Sequence, residues 1–220
     1  MKKRLDDETK PEPEATKRRR SRPATALRRP ELIQFAAAAF SKSGYAAASL
    51  RDIGEMAGIK APSFYHHFSS KEELLSVIVS ETLDRIFEML LSEISGIDDP
   101  EQKLRRVIGV HIQFIIDNRL QTKVVFEESA FLNEADRAAL KTKQRAILDI
   151  YRMLLRTLAE AGRFHAANHT ISALNILAIV HGVYRWYEPG AHLSDADLID
   201  ETVRMLFDGL RARPGDAQSQ

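Results

Sequence analysis

The chain has 220 residues, 44% of them hydrophobic, and a formal net charge of +1; this is enough apolar material for one sizeable domain or two small ones, and too much for a disordered chain. It contains no cysteine, which excludes a disulfide framework, thiol catalysis and a thiolate-held metal. No apolar run approaches the roughly 20 residues needed to cross a bilayer, and the N-terminus lacks the apolar segment of a secretory signal, so a cytoplasmic protein with no membrane partner is expected.

Ten Gly, eight Pro and 7% aromatic residues stand among many Ala, Leu, Glu, Lys and Arg, a balance that favours helices over strands. The near-neutral total hides an asymmetry. Residues 1–30 hold eleven Lys/Arg against five Asp/Glu, which leaves 21 against 26 in the remainder. Residues 1–25 have no apolar face to bury and read as a disordered basic arm, with Lys17, Arg18, Arg19, Arg20 and Arg22 as its densest cluster. A solubilising tail and an arm that meets DNA phosphates or a minor groove both fit that cluster.

From Pro30 to Ser43, Ile33, Ala36, Ala37 and Phe40 recur at helical spacing, and Gly44 ends the helix. Ser49 then caps a short helix, Asp52 completes a capping box, and Leu50, Ile53 and Ala57 face a core. Gly58 supplies the left-handed residue that stops it. Pro62 opens a second short helix, with Ala61 held outside it. Phe64 and Phe68 point inward, Ser63 and His66 outward, and Tyr65 lies at the margin. Two short helices about a glycine turn make a helix-turn-helix, whose second helix fits the major groove of double-stranded DNA. Ser70 caps a long helix, with Glu73 closing a second capping box, and apolar residues run through Leu74, Ile78, Leu90 and Ile94 to Gly96. At about 25 residues it spans nearly 40 Å and can join the small module to a second body.

Further helices are expected from Asp99–Pro100 to about Asn118, from Gln121 to Phe131, from Asn133 to Gly162, from Asn168 to Tyr187, and from Ser194 towards Arg213. No β-pattern and no internal repeat interrupts them. The fold class is all-α. The expected divisions are the arm at 1–25, a helix-turn-helix domain at 26–73, a helical body at 74–213 and a disordered tail at 214–220.

In the blocks FAAAAFSKSGY, SLRDI, EMAGI, SFYHHF and SSKEELL the chain resembles the tetracycline-repressor-like (TetR) family of bacterial transcriptional regulators. Ala48 departs from the family pattern, where threonine is common, and so does Gly54, where alanine is usual; the glycine costs about 1 kcal/mol of helix propensity. The resemblance implies that Lys71, at the start of the long helix, holds a backbone phosphate together with the helix N-terminus. Ser49, Arg51 and Tyr65 are placed to position the module on phosphates. Base reading falls to Lys60, Ala61, Pro62, Ser63 and His66, a set without Arg, Asn or Gln, so specificity leans on groove shape as well as direct contacts.

The resemblance also implies a homodimer, formed through the last two helices and matched to a palindromic operator. Between Ile171 and Tyr187 the helix is apolar around most of its circumference, which calls for burial on more than one side. Leu177 and Val180 there, with Ile199, Val203, Leu206, Phe207 and Leu210 in the last helix, are the expected interface. An effector pocket is expected among the middle helices. Phe114, Phe126, Phe131, Tyr151, Tyr184 and Trp186 are its aromatic candidates, and His111, Glu127 and Arg185 its polar ones, each of them also open to a plain core role. VYRWYEPGAHLS resembles the corresponding stretch of TetR-type repressors of lipid and steroid catabolism that respond to acyl-CoA thioesters. That implies Arg185 on a CoA phosphate and Trp186 on the adenine.

No catalytic or metal constellation competes with this reading. Glu127 and Glu128 are adjacent and face different ways, and His165 and His169 lie around a helix break without the Glu of HExxH. The expected function is a ligand-responsive, sequence-specific transcriptional regulator without cofactor, a repressor sooner than an activator. A non-specific DNA-compacting protein and a helical-bundle enzyme are the alternatives.

Overall fold

The structure, a computed structural model, describes residues 29–59, 64–165, 168–190 and 192–210. The basic arm, Lys60, Ala61, Pro62 and Ser63, and the C-terminal tail lie outside the described residues. Among those described there are eight α-helices and no strand, the all-α class expected from composition.

Helix α1 (Arg29–Ser43) buries Leu32, Ile33, Ala36, Ala37 and Phe40 and ends at Gly44, whose φ of 79° only glycine adopts freely. Helix α2 (Leu50–Ala57) opens with the expected reciprocal box. Ser49 Oγ accepts from the Asp52 amide at 3.1 Å, and Asp52 Oδ2 accepts from the Ser49 amide at 3.1 Å. Phe64 and Phe68 are buried with their rings 5.8 Å apart, and the Arg29 guanidinium of α1 lies 5.1 Å from the Phe68 ring centre. Helix α3 (Lys71–Ile94) is capped by Ser70, which accepts from the Glu73 amide at 3.1 Å. The second capping box is offset from expectation: the Glu73 carboxylate reaches the Ser69 amide at 2.7 Å and the Ser69 hydroxyl at 2.6 Å.

Asp99 caps α4 (Pro100–Asp117). The piece expected at 121–131 is two elements, α5 (Arg119–Glu127) and a 3-10 turn (Ser129–Phe131). Asn133, Asn168 and Ser194 cap α6 (Glu134–Glu160), α7 (His169–Trp186) and α8 (Asp195–Leu210), each side chain accepting from backbone amides of the first turn.

Helix α4 is the hub of the body. It packs on α3, α6, α7 and α8 and accordingly buries residues on several faces, from Leu104 to Ile116, each large aliphatic contributing about 1.5–3 kcal/mol. A Cβ at Gly109 would stand 3.2 Å from Ile199 Cγ2, so the glycine is what lets α8 lie this close. Helix α1 packs on α5 as well as on α2 and α3, and one continuous core runs from Leu32 to Phe207. The boundary expected between residues 73 and 74 thus falls in the first turn of α3, across shared core.

Most of the expected dimer stripe is turned inward. Leu177, Val180, Leu206 and Phe207 are buried within the single chain; Ile199 and Val203 pack half-buried against its core. Phe207 lies edge-on to Phe164 at 5.1 Å, with the Arg105 guanidinium 3.8 Å from its ring centre. Of Leu210 only the helical backbone is described. The apolar side chains left outward are Ile171, Leu174, Ile179 and Trp186 on α7 and Met205 on α8.

Candidate DNA-binding face and effector cavity

On the head, Arg51, Tyr65 and His66 are exposed, Tyr65 to 56%. Arg51 Nε holds Glu55 at 2.9 Å along the helix surface, a solvated pair that a phosphate can displace at little cost. Ser49 is spent on the cap, its hydroxyl donating to Asp52 at 2.6 Å. Lys71 is engaged inside the protein: its ammonium donates to the carbonyls of Tyr45 at 2.9 Å and Ala48 at 3.1 Å, and sits 4.3 Å from the Tyr45 ring centre. Of its three N–H donors one remains for DNA. Tyr45 itself donates to Glu72 at 3.1 Å, and burial with that carboxylate pushes its phenol up to about 12. Its ring meets Phe40 at 5.2 Å and, across the junction with the body, Phe131 at 5.0 Å.

The body encloses a cavity of about 530 Å³, within the size range of small-molecule sites. Five helices wall it at helical spacings: Thr82, Leu83 and Ile86 from α3; His111, Phe114 and Ile115 from α4; Thr122, Val125 and Phe126 from α5; Lys141, Gln144, Arg145, Ile147 and Leu148 from α6; Leu174, Leu177, Ala178 and His181 from α7. The inner end is buried and mostly aliphatic. Lys141, Gln144 and Arg145 are exposed and form a rim. No carboxylate lines the cavity, and neither rim cation has a carboxylate within salt-bridge distance among the described residues.

Two histidines, beside the buried Thr82 and Thr122, give the interior its polarity. His111 is 3% exposed, and its Nδ1 lies 2.9 Å from Tyr151 Oη. His181 stands edge-on to His111 at 5.1 Å and meets the Phe126 ring at 4.8 Å. Burial, with the neighbouring His181, holds His111 well below the ordinary histidine range, and burial lowers His181 to about 4; both are neutral near pH 7.

Of the nine expected pocket residues, His111, Phe114 and Phe126 line this cavity, and Tyr151 stands behind His111. Glu127, Tyr184 and Arg185 gather instead at a smaller recess of about 250 Å³ with Ser41, Arg119, Leu120 and Lys123. There Arg185 Nε donates to Tyr184 Oη at 2.9 Å, and Tyr184 Oη to Glu127 at 3.4 Å. Phe131 is at the head junction, and Trp186 is 61% exposed at the end of α7. Lys141, Arg145 and His181 escaped the sequence reading. The signal for the first two was present, since Lys141, Gln144, Arg145 and Leu148 follow the i, i+3, i+4, i+7 spacing of one face of α6.

Helix α5 faces both ways. Its Thr122, Val125 and Phe126 wall the cavity, while Gln121 hydrogen-bonds Gln34 of α1 and Lys123 Nζ donates to the Ser41 carbonyl at 2.7 Å.

A helix-turn-helix head sharing one core with a hollow helical body defines a DNA-binding transcriptional regulator with a small-molecule site. Residues 32–78 match the bacterial regulatory proteins, tetR family, and residues 97–210 match the tetracyclin repressor-like C-terminal domain. The chain belongs to the TetR family. Its relatives include the HTH-type transcriptional repressor KstR2 of Mycolicibacterium smegmatis, 26% identical over 198 residues, 89% of this chain and 96% of that protein. Among solved structures, the ketosteroid transcriptional regulator KstR2 of Mycobacterium tuberculosis superposes with a TM-score of 0.78 at 24% identity, over 87% of this chain and 100% of the other. AibR in complex with isovaleryl coenzyme A and operator DNA gives 0.75 at 24% identity, over 81% and 97%.

Among the described residues no group of three or more His, Asp or Glu is placed to hold a metal ion, and no helix is long and apolar enough to cross a membrane.

Proposed function

We propose that the protein is a cytoplasmic, homodimeric repressor that leaves a palindromic operator when an acyl-CoA thioester or similar lipophilic metabolite fills the body cavity. The observation that carries this reading is α5, which contributes one face to the cavity and hydrogen-bonds the head through the other. An occupant that favours a different tilt of α5 favours a different placement of α1, and its leverage equals its difference in affinity for the two arrangements.

The shape and charge of the cavity support the effector class. An apolar interior suits an acyl or ring-containing body, and the unpaired Lys141 and Arg145 at the rim suit phosphates left outside. Isovaleryl coenzyme A in AibR, a protein of the same fold, is consistent with this. In this reading Lys71 contributes its third N–H to a phosphate, Arg51, Tyr65 and His66 face DNA, and residues 26–73 act as the head on a 74–213 body. The outward apolar side chains of α7, Ile171, Leu174 and Ile179, with Met205 of α8, form the partner-facing surface. Regulation is by binding alone, with no catalytic step.

Sequencing the genomic fragments retained by the purified full chain, against an unbound control, tests the proposal. Enrichment of a two-fold symmetric site with half-sites about 34 Å apart is expected. Uniform recovery would favour a non-specific compactor.

A further inference from the structure

The interior polarity of the cavity is built in a specific way. Tyr151 is fully buried, and no other acceptor for its hydroxyl stands among the described residues. Its O–H therefore donates to His111 Nδ1, because the reverse arrangement would strand a buried hydroxyl proton. A neutral imidazole that accepts at Nδ1 carries its proton at Nε2. Nε2 has no protein partner among the described residues and is not sealed from the cavity. His181 makes ring contacts with His111 and Phe126 and no hydrogen bond to protein among the described residues. One donor of fixed direction and a second imidazole thus face a largely apolar space in which the other buried polar side chains are Thr82, whose hydroxyl donates to the Ile78 carbonyl at 2.6 Å, and Thr122. Both imidazoles can therefore be reached from the cavity and can pair with an oxygen of an occupant.

We propose that His111 and His181 form a polar floor that hydrogen-bonds an uncharged oxygen, a keto or hydroxyl group, on the buried part of the effector. The floor makes oxygenated ligands bind more tightly than plain hydrocarbon ones. A carboxylate is the wrong partner here, since among the described residues the Lys and Arg that line the cavity, Lys141 and Arg145, stand at its exposed rim, and a buried anion without a cation is heavily penalised. The charged end of the ligand belongs at the rim with Lys141 and Arg145. This inference rests on the cavity being the effector site, and it does not require the effector to be a CoA thioester.

The test uses the full chain labelled with 15N-histidine and two isosteric probes without phosphate, 2-octanone and 2-methyl-1-octene, with octanoate as the charged counterpart. Histidine NMR should show His111 protonated at Nε2, and that resonance should move on adding the ketone. The ketone should bind about tenfold more tightly than the alkene, the worth of one well-made hydrogen bond. His181→Phe and Tyr151→Phe, checked for unchanged helical content, should each shrink that ratio severalfold. Equal affinity for ketone and alkene, tighter binding of octanoate, or a ratio kept in both variants would overturn the floor. Calorimetry with octanoyl-CoA and 3-oxooctanoyl-CoA separates the two readings. A ketone preference with neither thioester bound keeps the floor and removes the acyl-CoA assignment; octanoyl-CoA binding with no ketone preference does the opposite.

Discussion

Lys71, proposed above to hold a DNA phosphate, also serves the fold. Its ammonium closes the loop between α1 and α2 by holding two carbonyls and the face of Tyr45, and charge-assisted hydrogen bonds of this kind contribute roughly 1–2 kcal/mol when half-exposed. Lys71→Ala should therefore lower the melting temperature of the protein as well as weaken binding to all DNA sequences alike and flatten its salt dependence. Thermal melts and operator titrations at several salt concentrations measure both; an unchanged melt would deny the structural role. The histidine pair sets a second residue-scale expectation. His181 falls from an ordinary 6.5 to about 4 on folding, so between those values the unfolded chain binds the extra proton. Stability is then full above about pH 6.5, declines on acidification and levels off below about pH 4, by about 3 kcal/mol for this group at 1.36 kcal/mol per unit. Denaturant melts from pH 7.5 to 4.5 should show the decline in the wild type and a smaller one in His181→Phe. Equal slopes would assign the acid sensitivity elsewhere.

Helix α5 is the element on which the proposed regulation turns. Replacing Lys123 by Met removes its bond to the Ser41 carbonyl and its 3.8 Å pair with Glu127, leaving the cavity wall in place. Operator affinity without effector should stay within about twofold, while the effector-induced loss of affinity should shrink severalfold, a fraction of the 1–3 kcal/mol typical of such coupling. Titration of operator in the presence and absence of octanoyl-CoA reads both quantities, and an undiminished response would show that the Lys123 bond to α1 does not carry the coupling. The elements themselves were legible because their signals are local. Ser49 with Asp52, Gly58, and Phe64 with Phe68 each fix a cap, a stop or an inward face within a few residues. The cavity was legible only in part, because its walls are a property of five helix tilts, and aromatic content does not report them. Tyr184 and Arg185 lie one turn beyond His181 on α7, yet they open onto a different recess. Periodicity in α8 marked a true apolar face, but period alone does not say whether the cover is a partner subunit or the chain's own α4.

At the scale of the whole molecule, one core runs without a break from the DNA-binding head into the hollow body, and the proposed action of a ligand on DNA at a distance rests on this continuity. Three of the ties between head and body among the described residues are the backbone of α3, the α1–α5 contact, and the tilted ring contact of Tyr45 with Phe131. An effector that settles in the cavity meets two of the three directly, through Thr82, Leu83 and Ile86 of α3 and through the cavity face of α5. The binding of effector and operator must then oppose each other by equal factors in both directions. The measurement that tests this most directly is the affinity of the full chain for its enriched operator as octanoyl-CoA is titrated, followed by fluorescence anisotropy of labelled DNA. Coupling of the two sites predicts at least a tenfold loss of operator affinity, saturating as the cavity fills. An operator affinity that stays constant while calorimetry shows the cavity saturated would contradict it.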